Sequence, residues 1–441
     1  MNTSYMKKKL TRHLCAMLAT ASMLPLCVSC DKDAHADEYS LPEGQGAVII
    51  GLESETAPDG LAVYLFGEDG SNALRKAYDD PRGPASEYIP VDAGSYTVIV
   101  AANADNAALP QETTLPDLAE WLKEHHEAYP ALLTASAMTE VKAGEVNRLH
   151  LELKDGTDGI RLSAVRLSLT VPGLELPAYA PAKAFAKSTA APLRCVAEVY
   201  LTGTESRIHR RTLLCTPQED GTYQAELSLM PGDYDLRLWA DRDGGYYNTD
   251  DLSAVTVLTD SYVANGETDK KDAFYTTSAL NVGEEDTEQA VALTRPFARY
   301  RLIATDAEAY HNLIDKGEAL PPIEDLQVRV TYEGFFPTGF DVATGKPNDA
   351  LNTGIHYTSV PTLAEGYDEA ANRQVGADFV LTNGEESFVT VTIQMFDTLT
   401  GETIATVQHV NIPYRRGHFT TVTGHFLTAG KTPGGVHGMT Q

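Results

Sequence analysis

The sequence of 441 residues is poor in basic residues. Lysine and arginine together number 34, against 62 aspartates and glutamates, which gives a formal net charge of −28. A chain with this charge repels the phosphates of nucleic acids and anionic lipids. We therefore expect no nucleic-acid partner, and we attribute the acidity to solubility at an exposed surface.

The sequence also lacks the common motifs of catalysis. It has no HExxH, GxSxG, P-loop or CxxC pattern, which argues against the usual metalloproteases, esterases, nucleotide-binding proteins and thiol oxidoreductases. The Asp-rich stretch ADRDGGYYNTDD at 240–251 lacks the complete ligand set of a calcium loop. We predict a protein that is not an enzyme and that has no metal and no other cofactor.

No apolar run reaches the length of about 20 residues that a membrane-spanning helix requires. The apolar run HLCAMLATASMLPL at 13–26 is shorter, and it follows the cationic cluster KKKLTR at 7–12. A cationic segment followed by a short apolar one is the layout of a secretory signal. We predict a signal peptide over residues 1–29.

The end of this segment, LCVSC at 26–30, resembles a bacterial lipobox. The small Ser29 precedes Cys30, whereas Cys27 follows Leu26 and Pro25 and fits a signal peptidase poorly. We predict cleavage before Cys30 and lipidation of its sulfur; the alternative is an ordinary signal peptide with an incidental cysteine. Several acyl chains there would anchor the protein firmly, because each buried methylene adds about 0.8 kcal/mol.

The residues after Cys30 are acidic and polar, which indicates a solvated tether over 30–45. CDKDAHADEYS also resembles the acid-rich export signal of surface lipoproteins of Bacteroidia. This resemblance implies an outer-membrane protein, lipid-anchored and facing outward at the cell surface. The alternative is a plain tether that faces the periplasm.

Composition predicts an all-β fold. The chain has 21 tyrosines, many threonines and frequent Gly, Pro, Asn and Asp between short alternating segments. One helix is expected in the first part, in LPDLAEWLKEHHEAYP at 115–130, with Asp117 as a candidate N-cap and Pro130 as a stop. Its Leu118, Trp121 and Leu122 share a face that should cover the edge of a β-sandwich.

Only two cysteines, Cys195 and Cys215, lie beyond the first 30 residues. Their segments read as two strands of a hairpin. Folding about Glu205 sets the two cysteines opposite each other, whereas folding about Ser206 sets Cys195 opposite Pro217. An oxidising compartment permits a disulfide, and the alternative is a pair of buried thiols.

Three landmarks recur in the same order, at offsets of 136, 138 and 134 residues. They are VYLFG (63–67) with VYLTG (199–203), DAGSYTVIVAANAD (92–105) with MPGDYDLRLWADRD (230–243), and RLSAVRLSLTV (161–171) with RPFARYRLIAT (295–305). Collinear matches at a nearly constant offset indicate a duplicated unit.

The predicted organisation places tandem β-sandwiches after the signal and tether. It comprises a first β-sandwich at 46–175, an Ala/Pro-rich linker at 176–192, a second β-sandwich at 193–306, a C-terminal β-sandwich region at 320–428 and a flexible tail at 429–441.

Three stretches of the chain resemble the fimbrillin-type proteins of Bacteroidia, which are subunits and anchors of pili. They are LWADRDGGYYNTDDLSAV, then KKDAFY with VALTRPFARYRLIATD, and VNIPYRRGHFTTVTGHFLT. The resemblance covers roughly residues 45–428 and implies transthyretin-like, Ig-like sandwiches, lipoprotein export and fimbrial subunits as partners. It also implies donor-strand assembly, in which a protease cuts stalk subunits at a basic residue and frees a groove for a neighbour's strand.

One departure from that family bears on the role. No lysine or arginine occurs between Lys32 and Arg75, so cleavage at a basic residue cannot free the first strand, GAVIIGL, alone. We therefore expect an anchor, tip or accessory adhesin subunit and not a stalk subunit. FTTVTGHFLT at 419–428 is either a donor strand or the closing strand of its own domain.

An alternative function is the capture of glycans by a surface lipoprotein. Proteins bind sugars by stacking them against exposed aromatic side chains, and Trp239, Tyr246 and Tyr247 could form an aromatic platform of this kind. The chain has only two tryptophans, which weakens this reading.

Overall fold

The computed structural model describes residues 41–172, 192–242, 245–258, 271–382 and 386–431. In these residues the protein is built from β-strands with a few short helices, so the all-β prediction is confirmed. The signal peptide, Cys30 and most of the tether, the linker and the tail lie outside the described residues.

The strands form three sandwiches, which we call module 1 (residues 45–155), module 2 (163–292) and module 3 (297–424). The strands of module 1 are β1 Gln45–Glu53, β2 Leu61–Phe66, β3 Asn72–Tyr78, β4 Ile89–Asp92, β5 Gly94–Ala102, β6 Leu133–Val141, β7 Val146–Glu152 and β8 Lys154–Asp155. Its helices are α1 Gly83–Ser86 and α2 Leu115–His125, followed by a 3₁₀ turn at His126–Ala128.

Modules 2 and 3 continue the series. Module 2 contains β9 Ser163–Thr170, β10 Leu193–Leu201, β11 Arg207–Pro217, β12 Tyr223–Leu229, β13 Gly232–Asp241, β14 Tyr247–Asn248, β15 Val255–Val257, β16 Ala273–Val282 and β17 Thr287–Ala292. Module 3 contains β18 Phe297–Ala304, α3 Ala307–Asp315, a 3₁₀ turn at Ile323–Asp325, β19 Leu326–Tyr332, β20 Phe335–Pro337, β21 Gly339–Asp341, β22 Lys346–Pro347, β23 Leu351–Thr353, β24 His356–Ser359, β25 Thr362–Leu363, β26 Arg373–Leu381, β27 Glu386–Asp397, β28 Thr403–Arg415 and β29 Phe419–Gly424.

All three modules share one topology. Module 1 packs a sheet of order β3-β2-β5-β6 against one of order β4-β1-β7. The same order recurs as β11-β10-β13-β16 and β12-β9-β17 in module 2, where β11 also pairs with β12 and joins all seven strands into one continuous sheet. In module 3 it recurs as β24-β19-β27-β28 and β26-β18-β29. In each module the first strand pairs in parallel with the last long strand, as β1 with β7, β9 with β17 and β18 with β29.

The repeated glycine–tyrosine landmark has a structural reason. The hydroxyl of Tyr96 donates to the carbonyl oxygen of Asp92 at 2.8 Å, and Tyr234 donates to Met230 at 2.7 Å. Each bond ties the start of a strand to the turn before it, as a tyrosine corner does in other sandwiches. The glycine two residues before the tyrosine leaves space for the tyrosine ring, since a Cβ at Gly232 would lie 3.0 Å from the Tyr234 hydroxyl.

The predicted boundaries between the sandwiches need correction. β9 pairs with β12 and β17, so residues 163–170 begin module 2 and do not end the first sandwich. β18 pairs with β26 and β29, so residues 297–304 begin module 3. The third landmark thus aligns the first strands of modules 2 and 3. Alternating apolar residues had identified both strands, but alternation does not reveal which strand lies alongside.

Helix α2 covers a sheet face of module 1. Leu118 and Leu122 are buried against Tyr64, on the outer face of the β2–β5 sheet and not at its edge. The N-cap is Thr114, whose hydroxyl accepts from the backbone N–H of Asp117 at 3.4 Å, so the prediction of Asp117 as the cap was wrong.

Module 3 contains a further helix, α3, which the sequence pattern did not predict. The Tyr310 side chain anchors it in the core of module 3 and is fully buried. The helix has only nine residues, too few to give a clear helical period.

Candidate functional site

The first strand of the chain is fully inserted in module 1. Residues 47–53 of β1 pair with β7, and residues 45–48 pair with β4 on the other side. Val48 and Ile50 are completely buried in the core. The segment at 419–424 is likewise paired with β18, so it closes its own module as strand β29. β1 therefore has a paired strand on each side, whereas β29 lies at the edge of its sheet.

Modules 1 and 2 meet through a network of charged side chains. Arg207 of β11 donates two hydrogen bonds to the carboxylate of Glu68, both at 2.7 Å, across the junction. The same guanidinium donates to Glu198 at 2.6 Å, and Arg210 reaches that carboxylate at 3.2 Å. Glu198 is fully buried, and these arginines neutralise its charge. The apolar contribution includes Met138 of β6, which packs against the core of module 2.

A cleft of about 650 Å³ lies beside this network. Its walls come from both modules and include Tyr96, Glu140, Tyr200 and Arg237. The Arg237 guanidinium stacks 3.9 Å from the centre of the Tyr200 ring, which fixes one wall. Charges of both signs line the cleft.

A buried histidine lies at the same junction. His209 of β11 is 9% exposed, and burial lowers its pKa to about 4, with the charge of Arg211 acting in the same direction. The neighbouring Asp69 of module 1 opposes that shift. His209 is therefore neutral at neutral pH, and protonating it would place a second cation next to Arg211.

Modules 2 and 3 are joined in a different way. Strand β15 of module 2 pairs with β21 of module 3, so the sheet β14-β15-β21-β22 is made from both modules. Val196 and Trp239 of module 2 belong to the same hydrophobic cluster as Phe297 and Phe340 of module 3. Since one continuous core spans the junction, the two modules form a single packed unit.

Buried polar groups reinforce this junction. Arg295 and Asp272 form a bidentate ion pair, in which Nε donates to Oδ1 at 2.8 Å and Nη2 donates to Oδ2 at 2.9 Å. Both side chains are largely buried. Arg416 of module 3 donates to the hydroxyl of Tyr275 in module 2 at 2.8 Å and to the carbonyl of Gly345 at 2.7 Å. Each of these bonds fixes a strand end at the boundary of the shared core.

The predicted aromatic platform is not at the surface, which corrects that interpretation. Trp239 is completely buried and Tyr247 is 5% exposed, with their ring centres 5.2 Å apart. The indole N–H donates to Asp241 at 3.0 Å, and Tyr246 is partly buried against the same core. These residues hold modules 2 and 3 together, and the structure gives no support to sugar binding by them.

Cys195 and Cys215 form a disulfide with a Cα–Cα distance of 6.3 Å. The hairpin register differs from both predicted alternatives, because Cys195 lies opposite Leu213 and Cys215 lies opposite Leu193. The cysteines are thus diagonal neighbours on the inner face. The chain turns one to two residues earlier than expected, and the bulge at Val199/Tyr200 recovers one residue of that difference.

In the part of the chain that the structure describes, no cluster of three or more potential metal ligands occurs. Within the same residues, none of the helices has the length and apolar content needed to cross a membrane.

Comparison with known proteins gives one family match. A model described as a family of unknown function, DUF6562, matches residues 157–436, which is more than half of the chain and corresponds to modules 2 and 3. No curated protein matches the sequence.

Solved structures of low identity also align with the chain. Candidate polysaccharide-binding proteins of Bacteroides thetaiotaomicron align at 13% identity and a TM-score of 0.35, over 56% of this chain and 80% of that one. A candidate adhesin of Bacteroides ovatus aligns at 11% identity and a TM-score of 0.34, over 56% of this chain and 78% of that one. The fimbrial anchor protein Mfa2 of Porphyromonas gingivalis aligns at 12% identity and a TM-score of 0.31, over 56% of this chain and 82% of that one.

Proposed function

We propose, for a chain that belongs to the family of unknown function DUF6562, the role of a cell-surface lipoprotein in a fimbrial assembly. In this role it acts as an anchor, tip or accessory adhesin subunit and binds other subunits through its β-sandwiches. The observation that carries the proposal is the lipobox-like LCVSC at 26–30, followed by an acidic tether and three sandwiches of one topology.

The inserted first strand supports a role other than that of a stalk subunit. β1 is held by strands on both sides, and no basic residue lies between Lys32 and Arg75 at which a protease could free it alone. A sandwich that keeps all its strands offers no vacant groove to a donor strand. We therefore place the protein at an end of the assembly or on its side.

Exposed apolar side chains support module 3 as the part that contacts a partner. Of the large apolar side chains exposed in the described residues, six belong to module 3, among them Phe335 at 73% and Phe388 at 65% exposure. Module 3 is also the module farthest along the chain from Cys30. Lipid at one end and apolar contacts at the other suit a protein that connects a membrane to a filament. We propose that this role involves no catalysis and no cofactor.

The first experiment tests the lipid anchor. We expect Cys30→Ala to move the full chain from the outer-membrane fraction to the soluble fraction, whereas Cys27→Ala should leave it in the membrane. Membrane retention of the Cys30→Ala protein at the wild-type level would contradict the proposal.

The second experiment tests the assembly. Sheared surface filaments should contain the wild-type chain, and Phe335→Ser with Phe388→Ser should reduce its recovery without lowering its total amount in the cell. Consistent absence of the wild-type chain from such filaments would refute a fimbrial role, even if the lipid anchor is real.

A further inference from the structure

A lysine and an aspartate are enclosed together at the junction of modules 2 and 3. Lys271, just before β16, is 2% exposed, and Asp378 in β26 is 1% exposed. The lysine Nζ lies 2.9 Å from the aspartate Oδ1. Burying two opposite charges removes the hydration of both, so such a pair adds little to stability compared with apolar side chains. Stability alone therefore gives little reason for these two groups to be here.

Both oxygens of the aspartate are held by further donors. Oδ1 accepts from the backbone N–H of Phe379 at 2.8 Å, and Oδ2 accepts from the Tyr332 hydroxyl at 2.9 Å. The Tyr332 hydroxyl is in turn 2.8 Å from that of Tyr300, which donates to Tyr357 at 3.0 Å. A carboxyl group thus lies between an amine, a backbone N–H and a chain of buried hydroxyls.

We propose that Lys271 and Asp378 condense to an intramolecular amide bond that links modules 2 and 3 covalently. In the reacting form the amine is neutral, and the proton that it has given up is carried by Oδ2 of the carboxyl group, so that Oδ1 has no proton. The amine lone pair then attacks Cγ, while the N–H of Phe379 stabilises the negative charge that develops on Oδ1. The bond from Cγ to Oδ2 breaks.

The proton balance of this step closes without any additional reactant. Tyr332 protonates Oδ2 as it leaves, and the proton released by the new amide nitrogen restores the tyrosine hydroxyl. The ammonium and the carboxylate are thereby converted to one amide and one water. No oxidant, reductant or activated group is consumed.

The surroundings position the reacting groups. The Tyr247 hydroxyl donates to the carbonyl oxygen of Lys271 and fixes the backbone at that point. The rings of Trp239, Phe297 and Phe379 belong to the same hydrophobic cluster as Tyr247, and the ring centres of Phe297 and Phe379 are 6.0 Å apart. Groups held in contact react as if highly concentrated, and a site that excludes water favours condensation over hydrolysis.

A neighbouring ion pair provides an internal control. Arg295 and Asp272 lie at the same junction and are similarly buried, but a guanidinium remains protonated and is not a nucleophile. Asp272 should therefore stay a free carboxylate in the same molecules in which Asp378 is an amide.

A tryptic map of the purified full chain tests the proposal directly. Trypsin does not cut after an acylated lysine, so residues 271–299 should appear as a branched peptide joined to residues 374–415. Its mass should be the sum of the two peptides less one water. If folded wild-type protein yields residues 272–299 and 374–415 only as separate peptides, the proposal is wrong. Neither outcome bears on lipidation at Cys30.

Two variants separate the chemistry from the ion pair. Lys271→Arg keeps the positive charge and should give no branched peptide. Tyr332→Phe removes the proton donor but keeps the ring, so bond formation should slow by about 100-fold, the scale of general acid catalysis. A wild-type rate in Tyr332→Phe would overturn the role of the tyrosine, and a branched peptide in Lys271→Arg would overturn the assignment of the lysine.

Discussion

The outer face of one sheet in module 2 contacts both neighbouring modules, and its two halves differ in chemistry. Toward module 1 it presents Glu198, Tyr200 and Arg237, which are charged or hydrogen-bonded. Toward module 3 it presents Val196 and Trp239, which join a common hydrophobic core. The first junction is therefore held by groups that water can compete for, and the second by apolar burial and a shared sheet.

Modules 2 and 3 are thus one structural unit to which module 1 is attached. The family match over residues 157–436 covers the whole of this unit and leaves module 1 out. The two tryptophans make the comparison measurable, because Trp121 lies in module 1 and Trp239 at the junction of modules 2 and 3. The variants Trp121→Phe and Trp239→Phe each leave one fluorescent reporter.

The largest effect is expected from Trp239→Ala. Removing this fully buried ring leaves a cavity in the shared core, which should lower the free energy of unfolding by about 3–5 kcal/mol. Hydrogen exchange should increase in strands of both modules 2 and 3. The matched change Trp121→Ala, at a partly buried ring, should cost less and affect module 1 alone. Faster exchange confined to module 2 in Trp239→Ala would show that the two modules are independent.

Removing the disulfide also tests whether modules 2 and 3 unfold as one unit. Replacing Cys195 and Cys215 by alanine frees a loop with a sequence separation of 20, which should cost about 3 kcal/mol. Although both cysteines lie in module 2, we expect module 3 to unfold at the same lower urea concentration. The urea midpoint reported by Trp121 should not move. Separate transitions for modules 2 and 3, followed by hydrogen exchange, would contradict a single unit.

Acid should weaken the protein through His209. Its folded pKa of about 4 lies below the unfolded value near 6.5, so the unfolded chain binds the proton first as pH falls. Its contribution is fully present above pH 6.5 and is lost as the pH falls to about 4. The loss amounts to about 3–4 kcal/mol, because each unit of pKa difference corresponds to about 1.4 kcal/mol. His209→Gln should flatten the pH dependence of urea unfolding over this window. His150→Gln, at an exposed histidine of β7, serves as the matched control.

The smallest effect is expected at the ion pair between modules 1 and 2. Glu68→Ala should lower the free energy of unfolding by about 1 kcal/mol or less, because both partners are accessible to solvent. A double-mutant cycle with Arg207→Ala, measured by urea unfolding at low and high salt, isolates the pair. We expect the coupling energy to shrink at high salt. A coupling of several kcal/mol would mean that this junction is as strong as the other.

The sequence was sufficient to predict strands, their inner faces and the existence of repeats. Tyr234, Leu236 and Leu238 alternate with polar residues, and all three are buried as that pattern predicts. Trp239 falls on the opposite face, which in an isolated two-layer sandwich would meet solvent. Only the position of module 3 buries it, and local alternation contains no information about that contact.

The ion-pair network at the first junction was missed, although a signal for it exists. Glu198 interrupts the apolar run of β10, and Arg207 and Arg210 follow in the next strand. A charge inside a strand needs a partner nearby, so these residues could have been paired from sequence. Their contact with Glu68, 139 residues away from Arg207, could not.

The parallel pairing of first and last strands has a mechanical consequence. When a module is pulled by its two ends, the hydrogen bonds between β1 and β7, β9 and β17, or β18 and β29 are loaded together in shear and do not open one after another. Tension along the chain would therefore be resisted by these three parallel strand pairs, one after another along the chain. Force applied at the two ends of the described chain would therefore be carried while each module stays folded.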